Sequence, residues 1–234
     1  MLKYQFDWSV VTSGKYFDWL VSGVVVTIKL STVSIALAFL LGLIIAVMRM
    51  SHVRPIRWFA LAYLEFFRNT PLLVQIFFWY FGSYKILPPV VNDWLNSTSF
   101  EFAAAVIALT IYTSAFIAED IRSGVLSIPK EQMEAARSSG FSYLQAMQYI
   151  ILPQAVRLTV PPLVNQFLNV AKNSSLAMTI GVAELTYQAR QVESYTFKGF
   201  EAFTAATLVY LVLSVIITAL VHLYDKRVLN PQRA

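Results

Sequence analysis

Long apolar runs broken by short polar stretches set the pattern of this chain. A helix needs about twenty mostly apolar residues to cross the hydrocarbon layer of a bilayer, and five segments approach that length. Leu30 to Met48 is uncharged, and its lead-in from Trp19 predicts one long helix over about 20–48. Within that helix Thr27, Ser31 and Ser34 recur at helical spacing, a narrow polar stripe better packed against protein than lipid. A second span, about 58–83, contains Glu65, Arg68 and Pro71. A third, about 102–121, ends at Glu119, Asp120 and Arg122, and a fourth, about 150–171, is interrupted by Pro161 and Pro162. The fifth, about 202–224, is stopped by Asp225, Lys226 and Arg227. This pattern predicts an all-α integral membrane protein with about five transmembrane helices in a single domain, 1–234.

Composition agrees: 57% of residues are apolar and 13% charged, with a mean hydropathy of +0.60. Soluble domains carry about a quarter charged residues. The chain has no Cys, which excludes disulfides, thiolate metal sites and a cysteine nucleophile. His52 and His222 lie far apart near the predicted membrane edges, so no metal site is expected. The opening stretch MLKYQFDWSVVTSGKYFDW lacks the continuous apolar core of a cleavable signal, and Trp8, Tyr16, Phe17 and Trp19 read as an interfacial foot.

An odd number of spans places the termini on opposite sides, and basic residues choose the sides. Arg49, Arg54, Arg57, Arg122, Lys130, Arg137, Lys226, Arg227 and Arg233 fall on one side, against Lys3, Lys15, Lys85, Lys172, Arg190 and Lys198 on the other. The denser clusters favour the first set as cytoplasmic, with the N-terminus outside and the C-terminus inside. The +5 formal charge then reflects cationic loops, and no nucleic-acid partner is expected.

The connection 122–153 is unusually polar for this chain. Pro129 suits a first helical turn, Lys130 to Ser139 reads as helix, and Gly140 supplies a left-handed cap. Ser142 with Gln145 is a capping-box pattern that starts a second helix, whose apolar side is Tyr143, Leu144, Met147, Ile150 and Ile151. The result is a short helix–turn–helix along the cytoplasmic surface. It reads either as an amphipathic loop or as a docking element, for which the small side formed by Ala135, Ala136 and Gly140 is suited.

Glu134-Ala135-Ala136, three residues, Gly140, nine residues, then Ile150-x-Leu152-Pro153 resembles the EAA loop of ABC-importer permeases. Arg68-Asn69-Thr70-Pro71-Leu72-Leu73-Val74-Gln75 resembles the FRGTPLLVQ stretch of their polar amino-acid branch, with Asn69 in place of glycine. Lys172-Asn173-Ser174-Ser175-Leu176 resembles its KDTSL stretch, with Asn173 in place of aspartate. The likeness extends over nearly the whole chain. It implies a type I ABC-importer permease fold whose Glu134, Ala135, Ala136 and Gly140 form a cytoplasmic coupling helix seated on an ATPase subunit.

The same resemblance implies a set of partners. These are a cytoplasmic ABC ATPase dimer, a second permease chain (identical or homologous), an extracytoplasmic amino-acid-binding protein and membrane lipid. No Walker A pattern, HExxH or nucleophile elbow is present, so no catalytic residue is assigned. No cofactor is expected in this chain; ATP and Mg belong to the partner ATPase. The expected location is the bacterial cytoplasmic (inner) membrane.

Two stretches are candidates for the substrate pathway. The first is Arg68, Asn69 and Thr70, with Arg68 set roughly 15 Å into its span at 1.5 Å per residue. Arg68 either pairs with Glu65, three positions earlier, or receives a substrate carboxylate. The second is Lys172, Asn173, Ser174 and Ser175, which reads as a re-entrant, cavity-lining piece or as a polar outer loop. Exchange of the family's aspartate for Asn173 leaves the pathway more positive. That favours anionic or zwitterionic substrates, glutamate or aspartate first and glutamine next, over other polar or basic amino acids. An ATP-independent secondary transporter would be marked by inverted repeats or intramembrane acids in a proton relay.

Overall fold

The computed structural model describes residues 4–86, 93 and 99–224, and among them the regular structure is helical. In chain order, α1 is Ser9–Thr12, α2 Gly14–Met50, α3 Arg54–Arg68, α4 Leu72–Ile86 and α5 Phe100–Leu126. Helix α6 is Lys130–Ser138 and α7 Tyr143–Ala146, followed by a π-helical turn, Met147–Ile151. Helix α8 is Leu152–Asn173, a 3₁₀ segment covers Ser174–Ile180, and α9 Leu185–Thr196 and α10 Gly199–Tyr224 complete the order.

Three described helices contain a window long and apolar enough to cross a membrane: Gly14–Met50, Phe100–Leu126 and Gly199–Ala219. The second predicted span is not one helix. Pro71 brings no N–H and disfavours helical geometry at the residue before it, so the segment breaks into α3 and α4. The shorter apolar piece is Leu72–Gly82. Side chains close the broken end of α3: Asn69 Nδ2 donates to the Glu65 carbonyl at 2.7 Å, and Thr70 Oγ1 to that of Phe66 at 2.9 Å. The proline pair of the fourth span behaves differently, since α8 runs helical through Pro161 and Pro162. Their missing N–H groups leave the carbonyls of Arg157 and Leu158 without the usual intrahelical donor.

The chain forms two compact units. One comprises residues 1–35, 71–109 and 168–220. Its core gathers Leu20 of α2, Leu185, Ala189 and Val192 of α9, and Ala202 and Ala206 of α10. Gly23 makes this possible, because a Cβ there would lie 2.9 Å from the Leu185 Cα. Thr27 Oγ1 accepts the Leu185 N–H at 3.1 Å, and Thr27, Ser31 and Ser34 are all buried, as the polar stripe predicts. Glu184 is also fully buried, caps α9 by accepting the Tyr187 N–H at 2.7 Å, and accepts the Tyr210 O–H at 2.7 Å. Burial pushes its carboxyl above the ordinary glutamate range, against the pull of those hydrogen bonds. The N-terminal foot is tied to the start of α10, where buried Glu201 accepts from the Asp7 N–H at 2.7 Å and from the Tyr4 hydroxyl.

The other unit comprises residues 36–70, 110–167 and 221–234, the last described only to 224. Ile45 and Ala46 of α2, Ala60 and Leu64 of α3, and Ala115 and Ala118 of α5 form one cluster. Ala38, Ile117 and Leu163 form a second, and Ile128, Ile151 and Ala155 a third beneath the polar loop. Small residues set the helix spacing here. A Cβ on Gly124 would stand 1.9 Å from Thr159 Oγ1, which itself donates to the Ala155 carbonyl at 2.8 Å. Gly124→Ala is therefore expected to destabilise the purified protein by about 1–3 kcal/mol, the usual cost of overpacking. Thr159→Ala on that background is expected to restore part of the loss, with both read by thermal unfolding in detergent.

Candidate functional site

The predicted docking element forms as its residues dictate. Helix α6 begins at Lys130, so Pro129 occupies the cap position one residue earlier than expected, with ψ near 138°. At the other end Gly140 has φ +89°. The Phe141 N–H donates to the Ala136 carbonyl at 3.2 Å and the Gly140 N–H to that of Arg137 at 3.1 Å. These two bonds are a Schellman motif, which satisfies carbonyls the helix end would otherwise leave bare. Two residues on, the Ser142 N–H donates to Gln145 Oε1 at 2.8 Å, and the Gln145 N–H to Ser142 Oγ at 3.3 Å. This is the reciprocal capping box that starts α7.

Side-chain directions then follow. Ala136 is buried, and Met133 packs on the cluster of Ile128, Ile151 and Ala155, whereas Glu134, Ala135 and Gly140 are exposed. Of the small residues in the motif, Ala136 therefore holds the element to its own chain, while Ala135 and Gly140 present backbone outward. A π-helical turn, Met147–Ile151, joins the element to α8.

Arg68 ends α3, where its charge faces the partly negative C-terminus of the helix. The Glu65–Arg68 ion pair that the spacing offers does not form. Glu65 Oε2 instead accepts from Asn69 Nδ2 at 3.0 Å, and the Arg68 guanidinium lies 5.3 Å from the Phe116 ring centroid. The charges that act on Arg68 come from α5, namely Glu119 and Asp120. Glu119 is bridged to Arg122 at 2.5 Å, and Asp120 Oδ2 accepts from Gln166 Nε2 at 2.9 Å. Arg68 and Asn69 are exposed and Thr70 is half-buried, its hydroxyl occupied by the backbone. One cluster within the second unit thus holds a guanidinium, two carboxylates and a carboxamide. Asp120 and Gln166 escaped the sequence reading because no local spacing links them.

Lys172–Ser175 belongs to the first unit. The Lys172 side chain is exposed, Asn173 and Ser175 are half-buried, and Ser174 turns inward. Ser174 is fully buried and donates to the Ala171 carbonyl at 2.9 Å, and Ser175 donates to that of Lys172 at 2.7 Å. These bonds tighten the helix end into the 3₁₀ segment, which packs against α4 and α9 and ends at Gly181 with φ +92°. Lys172 and Asn173 are the members of this motif whose polar groups face outward. Among the described residues there is no group of three or more acidic or histidine side chains placed to hold a metal ion.

The family model for the binding-protein-dependent transport system inner membrane component matches residues 38–230. The probable glutamine ABC transporter permease protein GlnM of Bacillus subtilis is 46% identical over 90% of this chain and 94% of its own length. The glutamate/aspartate import permease protein GltJ of Escherichia coli is 34% identical over 92% of this chain and 89% of its own. A chain of the crystal structure of an amino acid ABC transporter with histidines superposes with a TM-score of 0.84. It is 35% identical and covers 96% of this chain and 100% of that one.

Proposed function

The chain belongs to the family of binding-protein-dependent transport system inner membrane components, and from that premise we propose that it is the pathway-forming subunit of an ATP-driven importer for glutamine, glutamate or aspartate. Two permease chains, identical or homologous, form the pathway, each a single domain with spans near 20–48, 58–83, 102–121, 150–171 and 202–224. The N-terminus lies outside the inner membrane and the C-terminus inside, although Lys3 and the tail basic residues that support this lie outside the described residues. An extracytoplasmic binding protein delivers the amino acid. A cytoplasmic ATPase dimer binds ATP and Mg, and its closure is passed through Glu134, Ala135 and Gly140.

One observation carries this reading: the exposed, doubly capped helix–turn–helix from Lys130 to Ala146. A loop needed only for solubility gains nothing from a rigid knob whose backbone is laid open at Gly140. The substrate class draws support from the Arg68 cluster. A zwitterionic amino acid carries a carboxylate for Arg68 and an ammonium for Asp120. The two carboxylates of this cluster offset the positive field expected from Arg68, which raises neutral glutamine to equal standing with the acidic substrates. Arg68, Asn69 and Thr70 form the first lining element, and Lys172, Asn173, Ser174 and Ser175 the second, with the serines shaping the backbone.

The test is reconstitution in proteoliposomes with the ATPase and binding protein. Uptake of labelled glutamine, glutamate or aspartate that requires ATP and all subunits is the expected result, with arginine excluded. Proton-driven uptake by the permease alone would overturn the proposal.

A further inference from the structure

Helix α3 turns Ala60 and Leu64 into the core, with Tyr63 and Phe67 packed beside them. Its opposite side is unlike the rest of the chain. Arg54 and Arg57 are exposed in the first turn, and Trp58 and Phe59 follow at 68% and 62% exposure. Two turns beyond Phe59, Phe66 extends this exposed apolar surface. Among the described residues neither Arg54 nor Arg57 has a carboxylate oxygen within 4.0 Å, the ion pair found being Arg122 with Glu119.

The start of α3 adds a partial positive charge, since no side chain caps its first-turn N–H groups; Pro55 contributes none of these. A helix start, two free guanidinium groups and an adjoining indole occupy about one and a half turns. Guanidinium groups bind phosphate oxygens in a fork geometry, and Trp prefers the depth where head groups meet acyl chains. Basic residues at one end of an amphipathic helix, with Trp and Phe beside them, suit an interface of charged head groups over hydrocarbon. An acidic protein surface would satisfy the arginines but not the apolar face that continues to Phe66.

We propose that Arg54 to Phe59 is a binding site for an anionic phospholipid, with the head-group phosphate held by Arg54 and Arg57 and the acyl chains lying along Trp58 and Phe59. The site depends on the chain being a membrane protein, and on neither the substrate class nor the coupling loop.

The intact permease assembly, purified in mild detergent and delipidated, would be titrated with phosphatidylglycerol and with phosphatidylcholine under native mass spectrometry. Phosphatidylglycerol is expected to bind preferentially. Each cationic residue near a lipid surface contributes about fivefold, so Arg54→Gln with Arg57→Gln should weaken phosphatidylglycerol roughly 25-fold. Arg54→Lys with Arg57→Lys should keep most of the affinity, and Arg190→Gln, at an exposed position of α9, should match the parent. The lysine pair also separates lost charge from a fold defect. Equal affinity for the two lipids, or an unchanged phosphatidylglycerol affinity in the glutamine pair, would overturn the proposal. Loss of the ATPase subunit from the glutamine pair with lipid binding intact would also overturn it, assigning the arginines to a protein contact.

Discussion

Gly140→Val is expected to lower ATP-driven uptake at least about tenfold while leaving the chain inserted in the membrane. The position has φ +89°, yet a Cβ there meets nothing within 4 Å. The penalty is therefore conformational and local. A non-glycine residue held in the left-handed region costs of order 1–3 kcal/mol, and a β-branched one falls at the upper end. That strain opposes the two hydrogen bonds ending α6, from Gly140 to Arg137 and from Phe141 to Ala136. The helix end unwinds, and Glu134 and Ala135 lose their fixed relation to α7. Gly140→Asn should be mildest, since Asn tolerates this geometry, with Ala intermediate. Uptake and ATPase retention in a pull-down should follow that order. A valine variant that transports normally and keeps its ATPase would remove the loop from energy coupling.

Arg68→Ala is expected to raise the half-saturating substrate concentration by roughly 10- to 150-fold, the value of a hydrogen bond to a charged group of about 1.5–3 kcal/mol. The variant also removes a positive charge that acts on Glu119 and Asp120, leaving Glu119 its bridge to Arg122, so acidic substrates should suffer more than glutamine. Arg68→Lys should recover part of the affinity, because it restores charge but not the fork geometry. A purely structural role predicts a different outcome, with a reduced yield of the complex and unchanged affinity in what remains. Unchanged uptake and selectivity in Arg68→Ala would exclude Arg68 from the pathway.

The loop and the arginine differ in how well sequence could read them. The hydrogen bonds that cap the helices from Lys130 to Ala146 all lie within five residues along the chain, from the Schellman bond to the capping box. Such contacts depend on backbone stereochemistry and on which residue follows which. For Arg68 the same local logic pointed to Glu65, three residues back, and failed. The Asn69 side-chain amide, one residue on, donates to the Glu65 carboxylate instead. The charges that do act on Arg68 arrive about fifty positions later on α5. Ser174 failed in another way. A polar side chain at a helix end suggested a pathway lining, but 3₁₀ tightening gave its hydroxyl a backbone acceptor and buried it.

Sequence alone determined the membrane character, the burial of the Thr27–Ser31–Ser34 stripe and the architecture of the docking loop. Each follows from solvent preference or from neighbours a turn apart. Tertiary structure decided which small residues became helix contacts, as Gly124 did against Thr159, and which acids went inward, as Glu184 did toward Tyr210. It also chose the partners of Arg68. The physical reason is range: turn chemistry is settled within a few residues. A buried charge or a bare helix face is settled only by what another segment brings against it.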